Sequence, residues 1–382
     1  MPEPTPAPFA LADITVSAYR APISRPVRTA FGVMTDRPAV IVRAVERDGT
    51  TGFGEVWSNF PQCGAEHRAR LVKSALVPLL LDRSWRSPAE AFDHLAGQLR
   101  ILALQAGEPG PVAQAIAGVD IALWDLVAKR AGLPLWRMLG GAGKGRVPAY
   151  ASGISPCRTV EQAAAARNAG HHAFKLKVGF GRERDLANLE ALRALLGDDA
   201  PIMVDANQAW DLPEAIAMSE RLAPCRPIWL EEPIAADSPG TDWRQLAQAS
   251  PIPLAAGENL RGDAAFDQAI ASGVFAVIQP DLAKWGGISK GLALAHRIAR
   301  GGARYCPHCL GGGIGLLASA HLLAASGGDG LLEIDSNPNP LREGLATPFP
   351  KFEDGALVLS ETPGLGVEPS RETDRYAQPL FS

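Results

Sequence analysis

Two lysines separated by one residue, Lys175 and Lys177, stand in an apolar run that is typical of a β-strand. Side chains two positions apart on a strand point to the same face, so both ammonium groups are expected on one side of that strand. Two like charges at this spacing repel each other unless anions lie nearby. The pair therefore indicates either a solvated strand face or a site in which carboxylates surround the lysines.

Three carboxylates stand at the ends of later apolar runs: Asp205, Glu231 and Glu258. Because these runs read as consecutive strands, the three side chains are expected to converge on one point. Ligation by oxygen atoms alone favours a hard cation, and Mg²⁺ takes a few carboxylates while keeping positions for water and substrate oxygens. The sequence therefore predicts one Mg²⁺ per site, with Mn²⁺ as the alternative. Glu232 is set aside because its side chain is expected to point away from Glu231.

Further polar residues end the remaining apolar runs. Asp281 and His308 end two consecutive predicted strands, and a carboxylate bonded to one imidazole nitrogen raises the basicity of the other nitrogen. We therefore expect them to form an acid–base dyad on the opposite side of the pocket from the lysines. Tyr150 and Asn207 also fall at strand ends and are predicted to contact the substrate.

A metal ion and ammonium groups around a substrate carboxylate address one chemical problem. A proton α to a carboxylate is very weakly acidic, because its removal places a second negative charge on the same group. Positive charges at that group stabilise the resulting enediolate. The predicted substrate is therefore a small-molecule carboxylate.

The spacing of these residues predicts the elements that position them. Strand ends recur roughly every 25 residues with helical patterns between them, which is typical of repeated βα units and a parallel sheet. Chemistry in such a barrel lies at the C-terminal ends of the strands, where these residues fall. No eighth helix is evident after Glu333, so the α/β fold class is a modified TIM barrel, (β/α)7β.

Three segments are predicted along the chain. Residues 1–140 carry an antiparallel strand pattern followed by helices, which indicates an α+β capping domain. Residues 141–350 form the barrel. Residues 351–382 are expected to return to the capping domain.

Bulk properties exclude several classes of protein. The 382 residues have a net charge of −4 and 47% hydrophobic residues, which suits two well-filled domains and gives no sign of a nucleic-acid or membrane partner. Five scattered cysteines argue for a reducing, cytoplasmic compartment. We expect no signal peptide and no membrane span. Cys306 and Cys309 flank His308, but no second ligand pair supports a zinc site.

The motifs, in order, resemble those of the enolase superfamily, and within it the mandelate racemase subgroup. They are GVDIALWD at 118–125, LGG at 139–141, KLK at 175–177, VDAN at 204–207, LEEP at 230–233, GEN at 257–259, QPD at 279–281, GG at 286–287, PH at 307–308 and PGLG at 363–366. The resemblance covers most of the chain.

This resemblance implies roles that spacing alone does not rank. Lys175 would place its charge near the substrate carboxylate, and Lys177 would be the base, with a pKa lowered by Lys175 and Mg²⁺. Glu333 would donate or share a proton with a substrate carboxylate oxygen. Similar proteins form closed homo-oligomers, often octamers.

The resemblance also implies that loops of the capping domain cover the barrel and select the substrate. Phe31, Met34 and Trp57 are the residues of these loops predicted to contact it. Their mixture with polar neighbours does not decide which carboxylate binds.

Several reactions share the predicted residues. Reprotonation from the other face gives a racemase or epimerase, and loss of a β-hydroxyl gives an acid-sugar dehydratase. Loss of a ring oxygen gives a sugar-lactone cycloisomerase. Two alternatives of other classes remain: a Schiff-base lyase using Lys177, and a non-catalytic ligand-binding or structural descendant.

Overall fold

The N-terminal half of the chain builds a small antiparallel sheet. The computed structural model describes residues 8–29 and 32–380. Its first strands are β1 (Phe9–Arg28), β2 (Val33–Glu46), β3 (Thr51–Val56) and β4 (Ser84–Trp85). β1, β2 and β3 form a meander, and β4 pairs with the start of β1. Gly49, with φ of +91°, supplies the left-handed residue of the tight turn between β2 and β3.

Five helices complete the capping domain: α1 (Gly64–Leu71), α2 (Val77–Leu80), α3 (Pro88–Gln105), α4 (Pro109–Arg130) and α5 (Leu135–Met138). A π-helical turn, Val72–Leu76, joins α1 to α2. Helix α4 lies against β3 at very short range, since a Cβ at Gly54 would stand 2.0 Å from the carbonyl oxygen of Gly118. This helix is long and apolar enough to cross a membrane, but 83% of its apolar window is buried, as in a core helix.

Eight parallel strands form the barrel: β5 (Arg146–Ile154), β6 (Phe174–Lys177), β7 (Ile202–Asp205), β8 (Leu230–Glu231), β9 (Leu254–Ala256), β10 (Val277–Ile278), β11 (Arg304–Tyr305) and β12 (Leu332–Asp335). Seven helices connect them: α6 (Thr159–Asn168), α7 (Arg182–Leu196), α8 (Leu212–Leu222), α9 (Gly240–Ala249), α10 (Asp263–Ser272), α11 (Gly287–Arg300) and α12 (Gly313–Ser326).

The strand ladder runs from β11 back to β5, and β12 pairs with the other edge of β5. Within the described ranges, no ladder bonds join β11 to β12. The predicted (β/α)7β count is confirmed.

The C-terminal segment differs in part from the prediction. After the short helix α13 (Pro340–Gly344), the hairpin of β13 (Lys351–Glu353) and β14 (Ala356–Val358) pairs with β5 of the barrel. Only later does the chain reach the capping domain, where β15 (Ala377–Gln378) pairs with β1. Both Ala356 and Leu357 are buried where β14 pairs with β5, so this part of the segment is held by the barrel.

Three buried carboxylates of the capping domain join it to the rest of the chain. Asp120 accepts hydrogen bonds from the backbone N–H and hydroxyl of Ser289, at the start of α11. Glu55 accepts two N–H bonds at the start of α12. Asp125 accepts N–H bonds from Phe53 and Leu365, so it ties β3 to the C-terminal segment.

Asp120 predicts a pH dependence of stability. Burial raises its pKa to about 7, despite its bonds to Ser289. A carboxyl whose pKa is higher in the folded than in the unfolded state stabilises the fold below its unfolded pKa, and this contribution is lost as the pH rises through 7. Between pH 5 and pH 8 the free energy of unfolding should therefore fall by about 2 to 3 kcal/mol because of this group.

Denaturant titrations at the two pH values measure this loss. The variant Asp120→Asn keeps the shape of the side chain and should lose that part of the pH dependence, whereas Asp13→Asn, at an exposed position, should keep it. An unchanged pH slope in Asp120→Asn would contradict the assignment.

Candidate active site

The lowest layer of the site is built around the buried ammonium of Lys175. Its Nζ lies 2.6 Å from Glu231 and 2.8 Å from Glu333, and 3.7 Å from Asp205. Burial alone would lower the pKa of Lys175, but the Glu231 and Glu333 carboxylates outweigh it and hold that pKa well above its usual value. The side chain of Lys175 is fully buried, so it supplies a fixed positive charge beneath the pocket.

Lys177 stands one step higher on the same face of β6. The register places Lys177 beside Asp205 on β7, and Asp205 beside Glu231 on β8, so the three residues stand at one level of the barrel. Lys177 Nζ donates to Asp205 Oδ2 at 2.5 Å and to Asn207 Oδ1 at 2.9 Å. Asn207 adopts a left-handed φ of +44°, which brings its amide back toward the strand end.

The pKa of Lys177 differs from the sequence expectation. Burial lowers it, as does the charge of Lys175, but the Asp205 carboxylate outweighs both and the pKa is raised. The expected lowering assumed a cation at the carboxylates. Here the ammonium of Lys177 itself neutralises Asp205.

His308 occupies the opposite side of the mouth. Its Nδ1 lies 2.7 Å from Asp281 Oδ2, which is the predicted dyad contact, and its Nε2 lies 2.8 Å from Glu258 Oε2. Burial opposes charge on both partners, but the ion pair prevails: the pKa of His308 lies well above its usual value and that of Glu258 well below. Each imidazole nitrogen therefore has a carboxylate partner.

Both carboxylate oxygens of Glu333 are held by neighbouring groups. Lys175 and the backbone N–H of Cys309 hold its two oxygens, and the hydroxyl of Ser152 donates to it as well. Although burial raises its pKa, these cationic and hydrogen-bonding neighbours prevail and lower it to about 2. In this arrangement Glu333 is ionised, and the proton exchange with a substrate carboxylate oxygen that the resemblance implies for it stays a prediction.

The predicted metal ligands fit an oxygen-ligated cation by their chemistry. Asp205, Glu231 and Glu258 follow three adjacent strands, all are buried or nearly so, and burial raises the pKa of Glu231 to about 7. Each is balanced here by a side chain of the site. Among the described residues no three acidic, imidazole or thiol groups meet the spacing of a metal centre. Glu258 contacts His308.

A cavity of about 230 Å³ lies above these layers. Lys177 and His308 line its two sides, and Asn207, Glu258, Trp57, Phe60, Thr29, Gln208, Asn259, Lys284 and Leu310 complete it. Of the predicted substrate contacts, Asn207 and Trp57 therefore reach the pocket.

The other predicted contacts lie elsewhere. Tyr150 is fully buried, with its ring 5.4 Å from the Lys175 ammonium, so it supports the lower layer and does not line the pocket. Met34 lines a neighbouring cavity of the capping domain with Arg20 and Asn59. Phe31 lies outside the described residues.

Two polar residues at the mouth were missed from sequence. Lys284 is largely buried, lies 3.3 Å from Glu258 and stands 4.7 Å from the Trp57 ring. Glu232 does not point away as predicted: its φ of +37° ends the strand alternation, and it accepts hydrogen bonds from Gln208 and Asn259. The QPD motif followed by a lysine three residues on was the available signal for Lys284.

Comparison with known families decides the assignment. The family model for the enolase C-terminal domain-like region matches residues 158–373, and the model for the mandelate racemase / muconate lactonizing enzyme N-terminal domain matches residues 12–140. The chain belongs to the mandelate racemase and muconate lactonizing enzyme family of the enolase superfamily. This confirms the family and the fold class predicted from the sequence.

Characterised relatives of the enzyme catalyse reactions of acid sugars. The chain is 31% identical to D-galactarolactone cycloisomerase of Agrobacterium fabrum, over 88% of this chain and 90% of that protein. It is 33% identical to L-talarate/galactarate dehydratase of Salmonella typhimurium, over 90% of this chain and 84% of that protein. These relatives support an enzyme of the lyase or isomerase type.

Solved structures give the same picture. A mandelate racemase/muconate lactonizing enzyme from Bordetella bronchiseptica superposes with a TM-score of 0.89 at 51% identity, covering 97% of this chain and 99% of that one. An L-talarate/galactarate dehydratase variant superposes with a TM-score of 0.85 at 29% identity, covering 98% and 93%. That structure contains Mg²⁺ and L-glucarate.

Proposed function

We propose that the enzyme removes the proton α to the carboxylate of an acid sugar in a Mg²⁺-dependent reaction, and that it then expels the β-hydroxyl as a dehydratase. The observation that carries this proposal is the placement of Lys177 and His308 across the barrel mouth. Lys177 ends β6 and His308 follows β11, at least two strands separate them in either direction around the barrel, and both line one cavity. Each is positioned by a carboxylate of an adjacent strand, Asp205 or Asp281. Two groups that exchange protons on opposite sides suit an α proton and a leaving group on opposite faces of a substrate.

Lys177 is proposed as the base. Its amine must be neutral to accept the α proton, so it has to give up the ion pair with Asp205 that now raises its pKa. Lys177 would lose this ion pair, and its amine could become neutral, when another cation neutralises Asp205. Asn207, bonded to Lys177 at 2.9 Å, would keep the amine aimed at the cavity.

Lys175 is proposed to stabilise the enediolate from below. Its charge is fixed between Glu231 and Glu333, so it needs no reorganisation when negative charge develops on the substrate carboxylate. Asp205, Glu231 and Glu258 would hold Mg²⁺, which when bound supplies further positive charge at the same carboxylate. The Mg²⁺ of the dehydratase neighbour supports this assignment.

His308 is proposed as the acid for the second step. When Glu258 turns away to serve as a ligand, Nε2 becomes free to donate its proton to the departing β-hydroxyl, which leaves as water. The C–O bond electrons leave with the oxygen, and the enol that remains tautomerises to a 2-oxo acid. Asp281 keeps the bond to Nδ1 and so holds the ring in place.

A second candidate is a cycloisomerase acting on a sugar lactone, in which the leaving group is a ring oxygen. The similarity to D-galactarolactone cycloisomerase over most of both chains favours it. The same side chains would act, with His308 protonating the ring oxygen. Racemisation or epimerisation would require His308 to reprotonate the α carbon instead. A Schiff-base mechanism is disfavoured because it leaves the strand-end carboxylates Asp205, Glu231 and Glu258 without a role.

Incubation of the enzyme with Mg²⁺ in D₂O tests the proposal. The panel contains aldonic and aldaric acids, uronic acids, their lactones and mandelate, each followed by NMR. We expect deuterium at the α carbon of at least one acid sugar, together with a 2-oxo-3-deoxy product. A ring-opened isomer of a lactone would favour the cycloisomerase. No exchange on any member would overturn the proposed substrate class.

Location and assembly remain predictions. The five cysteines are free, which supports a reducing, cytoplasmic compartment. We propose that the enzyme works as a homo-oligomer, an octamer being possible by resemblance, and that it acts on small carboxylates without nucleic-acid or membrane partners. The carboxylate ligand of the dehydratase neighbour supports a small-molecule carboxylate as the substrate.

A further inference from the structure

The segment that leaves β3 directs three side chains toward the barrel. Glu55 lies near the end of β3, Trp57 and Asn59 lie just beyond it, and all three contact barrel residues. Glu55 bonds to the start of α12, Trp57 covers Lys284 at the cavity, and Asn59 donates to the carbonyl oxygen of Leu310. This strip of the capping domain therefore contacts the segment that follows His308.

Glu55 occupies a socket made of backbone. Its Oε2 accepts the N–H of Gly315 at 2.8 Å, and its Oε1 accepts the N–H of Gly312. A Cβ at Gly312 would stand 2.9 Å from Oε1, and one at Gly311 would stand 3.0 Å from it. Glycines thus permit the carboxylate to approach the N-terminus of α12, where negative charge is favoured. Glu55 is almost fully buried.

The short connection between His308 and α12, residues 309–312, is held at each residue. Cys309 donates its N–H to Glu333, and Leu310 accepts from Asn59. Gly311 accepts from Asn339 at 2.7 Å, and Gly312 donates to Glu55. Two of these four contacts come from the capping domain.

These contacts lead from the capping domain to one half of the proposed acid–base pair. We infer that Glu55 is a positioning residue for His308. By holding residues 309–312 against the start of α12, it fixes the side of the cavity on which His308 exchanges protons. The inference rests on the proposed function. Lys177 stands on β6 and receives none of these contacts, so Glu55 should act on one side of the substrate only.

Replacement of Glu55 by glutamine removes the contact with little change of shape. A carboxylate offers one acceptor oxygen to each of the two N–H groups, whereas an amide offers one oxygen and then sets its own NH₂ against the second N–H. Residues 309–312, which connect His308 to α12, should therefore shift. A displacement on the scale of an ångström at an acid–base group lowers its rate about 10- to 100-fold.

The contributions of Lys177 and His308 can be measured separately by following exchange of the α proton for solvent deuterium in two substrates that are epimers at the α carbon. One epimer presents its α proton to Lys177 and the other to His308. Glu55→Gln should slow exchange of the His308-facing epimer about 10- to 100-fold and leave that of the Lys177-facing epimer within about twofold, with KM unchanged. Asp125→Asn is the matched control: it is an equally buried carboxylate of the capping domain that accepts two N–H bonds away from His308.

Gly312→Ala tests the same contact from the barrel side and replaces Glu55→Gln if that variant does not fold. Its added Cβ would crowd Glu55. The control is Gly143→Ala, whose added Cβ would meet no atom within 4 Å. Both site variants should give the same one-sided loss. The inference would be overturned if exchange slowed equally for both epimers, if it did not slow for either, or if a control variant slowed exchange of the His308-facing epimer in the same way.

NMR of the ¹⁵N-labelled imidazoles tests the positioning of His308 by Glu55 without relying on turnover. The His308 signal, assigned by its loss in His308→Asn, should move in Glu55→Gln and stay in place in Asp125→Asn. If the wild-type enzyme exchanges no α proton, the proposed function fails, and this signal alone tests the positioning role. An unmoved His308 signal would then overturn it.

Discussion

Replacing Lys177 with methionine is expected to lower kcat about 100- to 10,000-fold, because a general base contributes on this scale. Methionine keeps an unbranched side chain, one atom shorter than that of lysine, but cannot accept a proton. Exchange of the α proton that faces Lys177 should stop, while exchange of the epimer that faces His308 should remain measurable. Steady-state kinetics and NMR in D₂O measure the two effects.

His308→Asn should stop exchange of the epimer that faces His308 and leave exchange of the epimer that faces Lys177 measurable. Lys351→Met, at an exposed position, should change neither exchange rate. Thermal unfolding is followed in parallel, because Lys177→Met leaves Asp205 with Lys175 as its remaining cationic partner, 3.7 Å away. Equal losses for both epimers in Lys177→Met would contradict its assignment to one side.

Removal of divalent cations is expected to reduce turnover to the background level, and Mg²⁺ should restore it. Mg²⁺ at about 100 times its Kd should also raise the free energy of unfolding by about 2.7 kcal/mol, since it binds only the folded site. Glu231→Gln should lose this increase. The effect is read by calorimetry and by thermal unfolding, so it does not depend on activity.

The neighbouring residue supplies the control. Glu232→Gln alters a carboxylate of similar burial that is already bonded to Gln208 and Asn259 and is not assigned as a ligand. Its response to Mg²⁺ should match that of the wild type. The reverse pattern, with the response lost in Glu232→Gln and kept in Glu231→Gln, would exchange the assignments of the two glutamates.

The strand-end residues could be predicted because register and spacing are written in the sequence. Lys177, Asp205 and Glu231 end short apolar runs, and parallel pairing alone brings them to one level. The same reasoning located Asp281 and His308. It could not give depth along a strand, so it did not distinguish the buried Lys175 from Lys177 at the cavity, or exclude Tyr150 from the lining.

Features that depend on loop backbone escaped prediction. The orientation of Glu232 follows from a left-handed residue just past the strand, where the period-two rule no longer holds. Lys284 reaches the mouth from a loop, and no periodic pattern reports where a loop turns. The direction of the pKa shift of Lys177 depends on which cation neutralises Asp205, and sequence alone does not specify that.

The pairing of β15 with β1 has a consequence for protein synthesis. Ala18 and Tyr19 lie opposite Gln378 and Ala377, so one of the earliest strands to be translated is paired with one of the last. During synthesis this edge of the capping sheet has no partner until residues 377 and 378 have been made, because β15 is translated long after β1. Until then the outer edge of β1 at Ala18 and Tyr19 is left unpaired, and an unpaired strand edge is a template for pairing with another chain.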